Sequence, residues 1–190
     1  MSTAPSRSAP PPPPPQEEDG ASANERLLAA AKTDNEELLE SAFNQLDDVN
    51  FVDGMGNTAV HYAVMNGSTD VLEHILAHDS CNPDIRNRLA GDTPLHIAVR
   101  NKWEDHPGMR LYLVGSLLEA GADQLIKNRH NERPADALPQ WHAGVDPEAD
   151  DEKVRSMLRR AAAETMVASS GDVVEEDDII DPNDVASDSD

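Results

Sequence analysis

Aromatic residues are almost missing from this chain: two Trp, two Tyr and two Phe make up 3% of 190 residues. A core built without them has to use Ala, Leu, Val and Ile, which suits thin, closely packed helices better than a β-sandwich. Cysteine occurs once, as Cys81. No disulfide can therefore form within the chain, and a reducing compartment is expected, cytoplasmic or nuclear. No run of about 18 apolar residues occurs and the N-terminus lacks an apolar leader core, so neither a membrane span nor a secretory signal is expected. Cations are scarce as well: 15 Lys and Arg stand against 37 Asp and Glu, a formal charge of −22. That balance repels phosphates, which argues against direct binding of nucleic acid or anionic membranes. A basic protein is the natural electrostatic complement. Neither G-x-x-x-x-G-K-[ST] nor G-x-S-x-G is present, so phosphate-loop and nucleophile-elbow chemistry are excluded.

Two segments have the composition of tails. A six-proline run at 10–15, followed by Gln16, Glu17, Glu18 and Asp19, fixes φ and removes backbone donors, so residues 1–22 are expected to be extended and disordered. Such a run serves either as a ligand for a proline-binding domain or as a stiff spacer. At the other end, residues 172–190 hold nine Asp and Glu and no Lys or Arg, and 168–190 reads as a disordered acidic tail. Within it VVEEDDII at 173–180 mixes apolar pairs with acids. That pattern either solubilises the chain or docks on a basic groove, and it is loosely similar to a SUMO-interacting motif. Ser187 and Ser189, set among Asp, resemble acidophilic kinase sites.

Between the tails the chain repeats itself. GNTAVHYAVMNG at 56–67 returns as GDTPLHIAVRN at 91–101, with Thr58 aligned on Thr93 and His61 on His96, an offset of 35 residues. A period of that length marks a stacked repeat, whose units are too small to bury their own apolar faces and pack on neighbours instead. Leu27, Leu28, Ala30 and Ala31 give one short apolar face, and Leu38, Leu39, Ala42, Phe43 and Leu46 give a second at helical spacing. Between them TDNE at 33–36 matches a capping box, which predicts that Thr33 and Glu36 start the second helix. The plan recurs with 59–65, a break at Asn66 and Gly67, Ser68 as cap, and Val71, Leu72, Ile75 and Leu76 on one face. A third pair uses 94–99 and then Leu113, Val114, Leu117 and Leu118. In the fourth, Pro139 cuts the first helix short, a loop with Trp141, His142 and Gly144 follows, and Asp146 and Pro147 form a helix start. Val154, Met157, Leu158 and Ala161 then make an apolar stripe opposite Lys153, Arg155, Arg159 and Arg160. That basic face offers the acidic tail an electrostatic hold.

NFVDGMGNTAVHYAVMNG, GDTPLHIAV and LLEAGAD together resemble the ankyrin repeat, with the turn, helix-start and helix-end signatures in order. One phase through Glu25, Thr58, Thr93 and Arg133 gives spacings of 33, 35 and 40. Against the ankyrin period of 33, the last two steps carry insertions of two and seven residues. The two-residue excess lies at 78–84 and the seven-residue excess at 103–109, a loop with Trp103, Pro107 and Gly108. The fold class expected is all-α: an ankyrin solenoid of about four helix-turn-helix units with short β-hairpin fingers. The units are placed at about 23–52, 53–87, 88–127 and 128–167, the outer two acting as caps.

The resemblance implies a non-enzymatic scaffold that holds a partner protein in the concave groove of fingers and inner helices. Carried onto this sequence, the outward-pointing positions are Gly54, Met55, Asn57, Met65 and Asn66 in the second unit. In the third they are Leu89, Ala90, Asp92, Arg100 and Asn101, and in the fourth Arg129, His130 and Glu132. Trp103 either touches the partner or folds back on the scaffold. Acidic ankyrin proteins of this size with charged tails resemble escorts of ribosomal proteins. The expected role is therefore a monomeric adaptor or assembly chaperone for a basic client. The alternative is a regulatory or proteasome-assembly subunit that binds through the groove. A third reading, an enzyme, would rest on His74 and His78, four apart on one helix face as two zinc ligands would be. No HExxH glutamate or identifiable third ligand accompanies them, so no metal, cofactor or catalytic residue is expected. His61 and His96 are read as structural, bonding backbone between neighbouring units together with the preceding threonines.

Overall fold

The computed structural model describes residues 21–140, Asp146 and residues 149–170, the last five of these as helical backbone only. The polyproline stretch, Trp141, His142, Gly144, Pro147 and the acidic segment with Ser187 and Ser189 lie outside the described residues. Seven α-helices occur among those described: α1 (Ala23–Thr33), α2 (Glu36–Phe43), α3 (Ala59–Asn66), α4 (Thr69–Leu76), α5 (Pro94–Arg100), α6 (Met109–Glu119) and α7 (Asp150–Ser170). A 3-10 turn, Pro134–Ala137, sits between α6 and α7. An inner row of α1, α3, α5 and the 3-10 turn packs against an outer row of α2, α4, α6 and α7. Small side chains set the spacing of the inner row, where Ala30, Ala31, Ala63 and Ala98 are wholly buried. Leu27, Leu39, Leu72, Ile75, Leu95, Leu113 and Leu117 fill the space between rows, and Val154 and Leu158 extend the same cluster into α7.

The repeated Thr–His phrase is the rung that holds one pair to the next. Thr58 precedes α3, and its backbone N–H donates to Nδ1 of His61 (3.1 Å). Nδ1 is then the acceptor nitrogen, so Nε2 carries the hydrogen and donates across the stack to the carbonyl of Asp92 (3.2 Å). Thr93, His96 and the carbonyl of Glu132 repeat the arrangement at 3.2 and 3.0 Å. Burial pushes the pKa of His61 down, which keeps this imidazole neutral, as the rung requires.

Several local expectations are corrected. Thr33 does not start the second helix; it ends α1, and its hydroxyl donates back to Ala29. Asp34 turns the chain in the left-handed region (φ 51°), and the Asn35 side chain caps α2 by accepting from Leu38. The capping box lies earlier, at Ser22 and Glu25. Ser22 is thus the counterpart of Thr58, and the first spacing becomes 58 − 22 = 36 rather than 33. Ser68 precedes α4 without capping it, because its hydroxyl donates to the Ala31 carbonyl of the pair before. The carboxylate of Asp34 caps α4 instead, accepting from Val71 (3.1 Å). The last helix is described from Asp150, and the expected start at Pro147 lies outside the described residues.

The β-hairpin fingers are also corrected: no strand occurs among the described residues. Each finger is a tight turn closed by one backbone bond, Asp53 to Asn57, Asn87 to Asp92 and Asn128 to Glu132. The Asp53 side chain accepts from Met55 and Asn57, Asn87 from Ala90 and Asp92, and Asn128 from His130 and Glu132. The amides that a hairpin ladder would need are already bonded to these side chains.

Candidate functional site

The fingers abut one another through backbone. Arg88 N–H donates to the Met55 carbonyl, and Arg129 N–H to that of Ala90, each at 2.8 Å. A glycine stands at each approach: Gly56 (φ 78°) and Gly91 (φ 70°), where an added Cβ would lie 2.6 Å from Arg88 Cγ and 2.9 Å from Arg129 Cγ. Both the left-handed backbone and the close neighbour demand glycine there. The last finger, with no further finger against it, uses Asn131 (φ 63°) at the corresponding position.

The expected partner positions divide by exposure. Met55 and Leu89 are apolar tips, 48% and 68% exposed, and Gly54, Asn66, Arg100, Arg129, His130 and Glu132 are also exposed. Met65, Ala90 and Asn101 are half-buried. Asn57 and Asp92 are turned into the scaffold, at 5% and 2% exposure. Asp92 accepts two bonds from Arg100 (2.7 and 3.2 Å) and one from Asn128 (2.9 Å). Burial works to raise its carboxyl, but the Arg100 guanidinium and the Asn128 amide outweigh that and hold it below the ordinary range. Asp53 behaves alike: burial raises it, yet Tyr62, the amides of Asn57 and Met55, and Lys32 bring it down. Lys32 lies 4.1 Å above the Tyr62 ring, so the second finger is tied to α1 and α3.

Trp103 folds back. Its ring lies on Gly67, where an added Cβ would come within 2.9 Å of it, and it packs on the common core. Its loop leads into Arg110, the one residue in this region that no motif announced. Arg110 is 3% exposed, bonds the Val99 carbonyl, and pairs with Asp150 (2.9 Å) and Asp151 (2.6 Å) at the start of α7. Lys102 adds a contact to Asp151 (3.5 Å). The sequence holds an Arg in the first turn of α6 and three acids in the first turn of α7, about forty residues apart, and nothing in it places them together. Of the four cations expected to hold the acidic tail along α7, Arg155 pairs with Glu152 (3.0 Å) and Arg160 with Glu164 (2.8 Å).

The His74 and His78 pair finds no third ligand. His78 Nδ1 bonds Ser80 (2.9 Å) and its ring lies 5.1 Å from that of Phe43. Among the described residues, no group of three or more His, Cys, Asp or Glu could hold a metal ion. Cys81 is half-buried, which pushes its thiol up to about 11 and leaves it a poor nucleophile. No helix among the described residues is long and apolar enough to cross a membrane.

The paired helices, the Thr–His rungs and the abutting fingers agree with a match to the family model for ankyrin repeats, in three copies, over residues 27–128. The chain belongs to the ankyrin-repeat family. It is 36% identical over 118 residues to the ankyrin repeat-containing protein YGL242C of Saccharomyces cerevisiae, which covers 57% of this chain and 65% of the yeast protein. The chain thus spans under two thirds of that relative's length. The matched ankyrin copies end at Asn128, so the fourth finger, the 3-10 turn and α7 extend the stack beyond them. Ankyrin repeats are protein-binding scaffolds, and a general protein-protein interaction role is what the match supports.

Charge is distributed unevenly along the stack. From 33 to 85 there are eleven carboxylates and no Lys or Arg: Asp34, Glu36, Glu37, Glu40, Asp47, Asp48, Asp53, Asp70, Glu73, Asp79 and Asp84. Those on α2 and α4 are all exposed on the outer row. The fingertips that follow carry Arg86, Arg88, Lys127 and Arg129, also exposed.

Proposed function

We propose that this ankyrin protein is an adaptor or assembly chaperone for a basic client, of the kind a ribosomal protein represents, acting as a monomer in the cytoplasm or nucleus. The observation that carries the reading is the stretch from 33 to 85 without a cation, whose exposed Glu36, Glu37, Glu40, Asp70 and Glu73 lie on neighbouring outer helices. A convex face of one sign attracts and shields a cationic protein, and its pull weakens with salt. The alternative, a regulatory or proteasome-assembly subunit, is supported by a different feature: the exposed Met55 and Leu89 fingertips, which suit an apolar anchor in the groove.

Titration of the full chain with a purified basic ribosomal protein at low and high salt separates the two. The client reading expects binding that falls steeply with salt and is lost when Glu36, Glu40 and Glu73 become Lys. Binding that ignores both changes but is lost in a Met55→Ala, Leu89→Ala variant favours the groove. Absence of binding to any basic probe at low salt contradicts the client reading.

A further inference from the structure

The fingertip cations have no carboxylate partner among the described residues, although the chain is strongly acidic. Arg88 reaches the Gly54 carbonyl (3.4 Å), Arg129 that of Leu89 (3.2 Å) and Arg86 that of Lys127 (3.3 Å). Lys127 bonds the Asn131 side chain (3.1 Å). All of these bonds are to neutral oxygens, so the four cations lie along the fingers without an ion-pair partner within 4.0 Å among the described residues. Beside them stand the exposed apolar tips Leu89 and Met55. The surface therefore combines cations with apolar points, and its complement is an extended acidic segment with apolar residues at its ends.

The chain contains such a segment. VVEEDDII at 173–180 sets Glu175, Glu176, Asp177 and Asp178 between Val173–Val174 and Ile179–Ile180. Its point of departure is suitably placed. Thr165 and Ala162 of α7 line one cleft with Leu125 and Asp123 at the foot of the fourth finger, so α7 runs toward the finger side of the stack. From Ser170 to Val173 the chain spans at most about 10 Å, and from Leu125 to Arg129 at most about 14 Å. Of the cations along α7 itself, Arg155 and Arg160 already have Glu partners.

We propose that residues 173–180 dock on the chain's own third and fourth fingers, with the four central acids against Arg86, Arg88, Lys127 and Arg129 and the apolar ends against Leu89 and Met55. The inference does not depend on what the client is.

The test compares backbone amide NMR spectra of the full chain and of a variant carrying Glu175→Gln, Glu176→Gln, Asp177→Asn and Asp178→Asn. Docking expects the signals of Met55, Arg88, Leu89 and Arg129 to differ between the two. Raising salt from about 50 to about 500 mM should move the full chain's fingertip signals toward those of the variant. The differences should not change on dilution. An Arg86→Glu, Lys127→Glu full chain, with helix content intact by circular dichroism, should show them diminished. Fingertip signals identical in the two chains would overturn the proposal and leave the patch to an external acidic protein. Differences confined to 153–170 would place the segment on α7, and differences that fade on dilution would assign it to a second copy; either result also overturns it.

Discussion

Between residues 33 and 85 eleven carboxylates stand without a Lys or Arg, whereas residues 86–133 hold eight Lys and Arg against six Asp and Glu. Both stretches nevertheless build paired helices joined by the same Thr–His rung and the same Asx-closed finger. The stacking contacts are alanines, leucines and neutral imidazoles, so surface charge is left free to differ. In the first stretch most carboxylates are exposed, with Asp34 and Asp53 taken up as caps. In the second, three of the eight cations hold structure through ion pairs: Arg100 on Asp92, and Lys102 and Arg110 on α7. Arg86, Arg88, Lys127 and Arg129 stand on the fingers. One half is an acidic convex face and the other a basic finger edge.

The largest way to break that comparison is Leu95→Asp. Leu95 is wholly buried in α5, and an unpaired charge there costs several kcal/mol. If the two halves share one core, the variant loses the helical signal of the entire chain in a single thermal transition. Persistence of a native-like transition for the first half would show the halves to be independent. Next comes Arg110→Ala, which strips α7 from the second half. It should cost about 3 kcal/mol, the low end for a broken buried pair because Asp150 and Asp151 still reach solvent. Hydrogen exchange should rise in α7 while α1 to α4 stay protected.

Smaller effects sharpen the contrast between scaffold and surface. Trp103→Ala should lower the melting temperature by several degrees, because the ring covers Gly67. Met55→Ala should leave the melting temperature within about a degree, because nearly half of that side chain is exposed. Acid should weaken the stack in two stages. His61 has its pKa lowered by burial, so below its ordinary value of about 6.5 the unfolded chain takes up the proton first and stability falls as pH falls. Asp53, Asp92 and Asp151, whose carboxyls are held down by partners despite burial, add a second loss below about pH 4. Asp84, raised by burial, works weakly the other way. Denaturant melts from pH 7 to 3 should show both stages, with the first absent in His61→Gln.

How much the sequence revealed follows from where each signal lies. The phrase around Thr58 and Thr93 is local and repeated, and it located the rungs, the inner helices and the buried imidazoles. Ser22 was missed because a capping box is only a short pattern, and Thr33–Glu36 satisfies that pattern too; which one forms depends on where α1 stops, and Asp34 decides that by its left-handed turn. Ser68 looked like a cap because capping is its commonest local use, yet its hydroxyl is drawn to Ala31 in the neighbouring pair. The hairpins were inferred from family likeness, while Asp53, Asn87 and Asn128 close turns too short for strands. Arg110 was not legible at all, since its meaning rests on acids forty residues away. Asp92 looked like a surface residue until Arg100 and Asn128 were seen to enclose it.

The claim that the two halves bear separate charged surfaces is tested most directly by hydrogen exchange of the full chain with and without a basic ribosomal protein. The expected result is protection on α2 and α4 that disappears with the Glu36→Lys, Glu40→Lys, Glu73→Lys variant. Protection confined to the fingers, unchanged in that variant, would contradict the account.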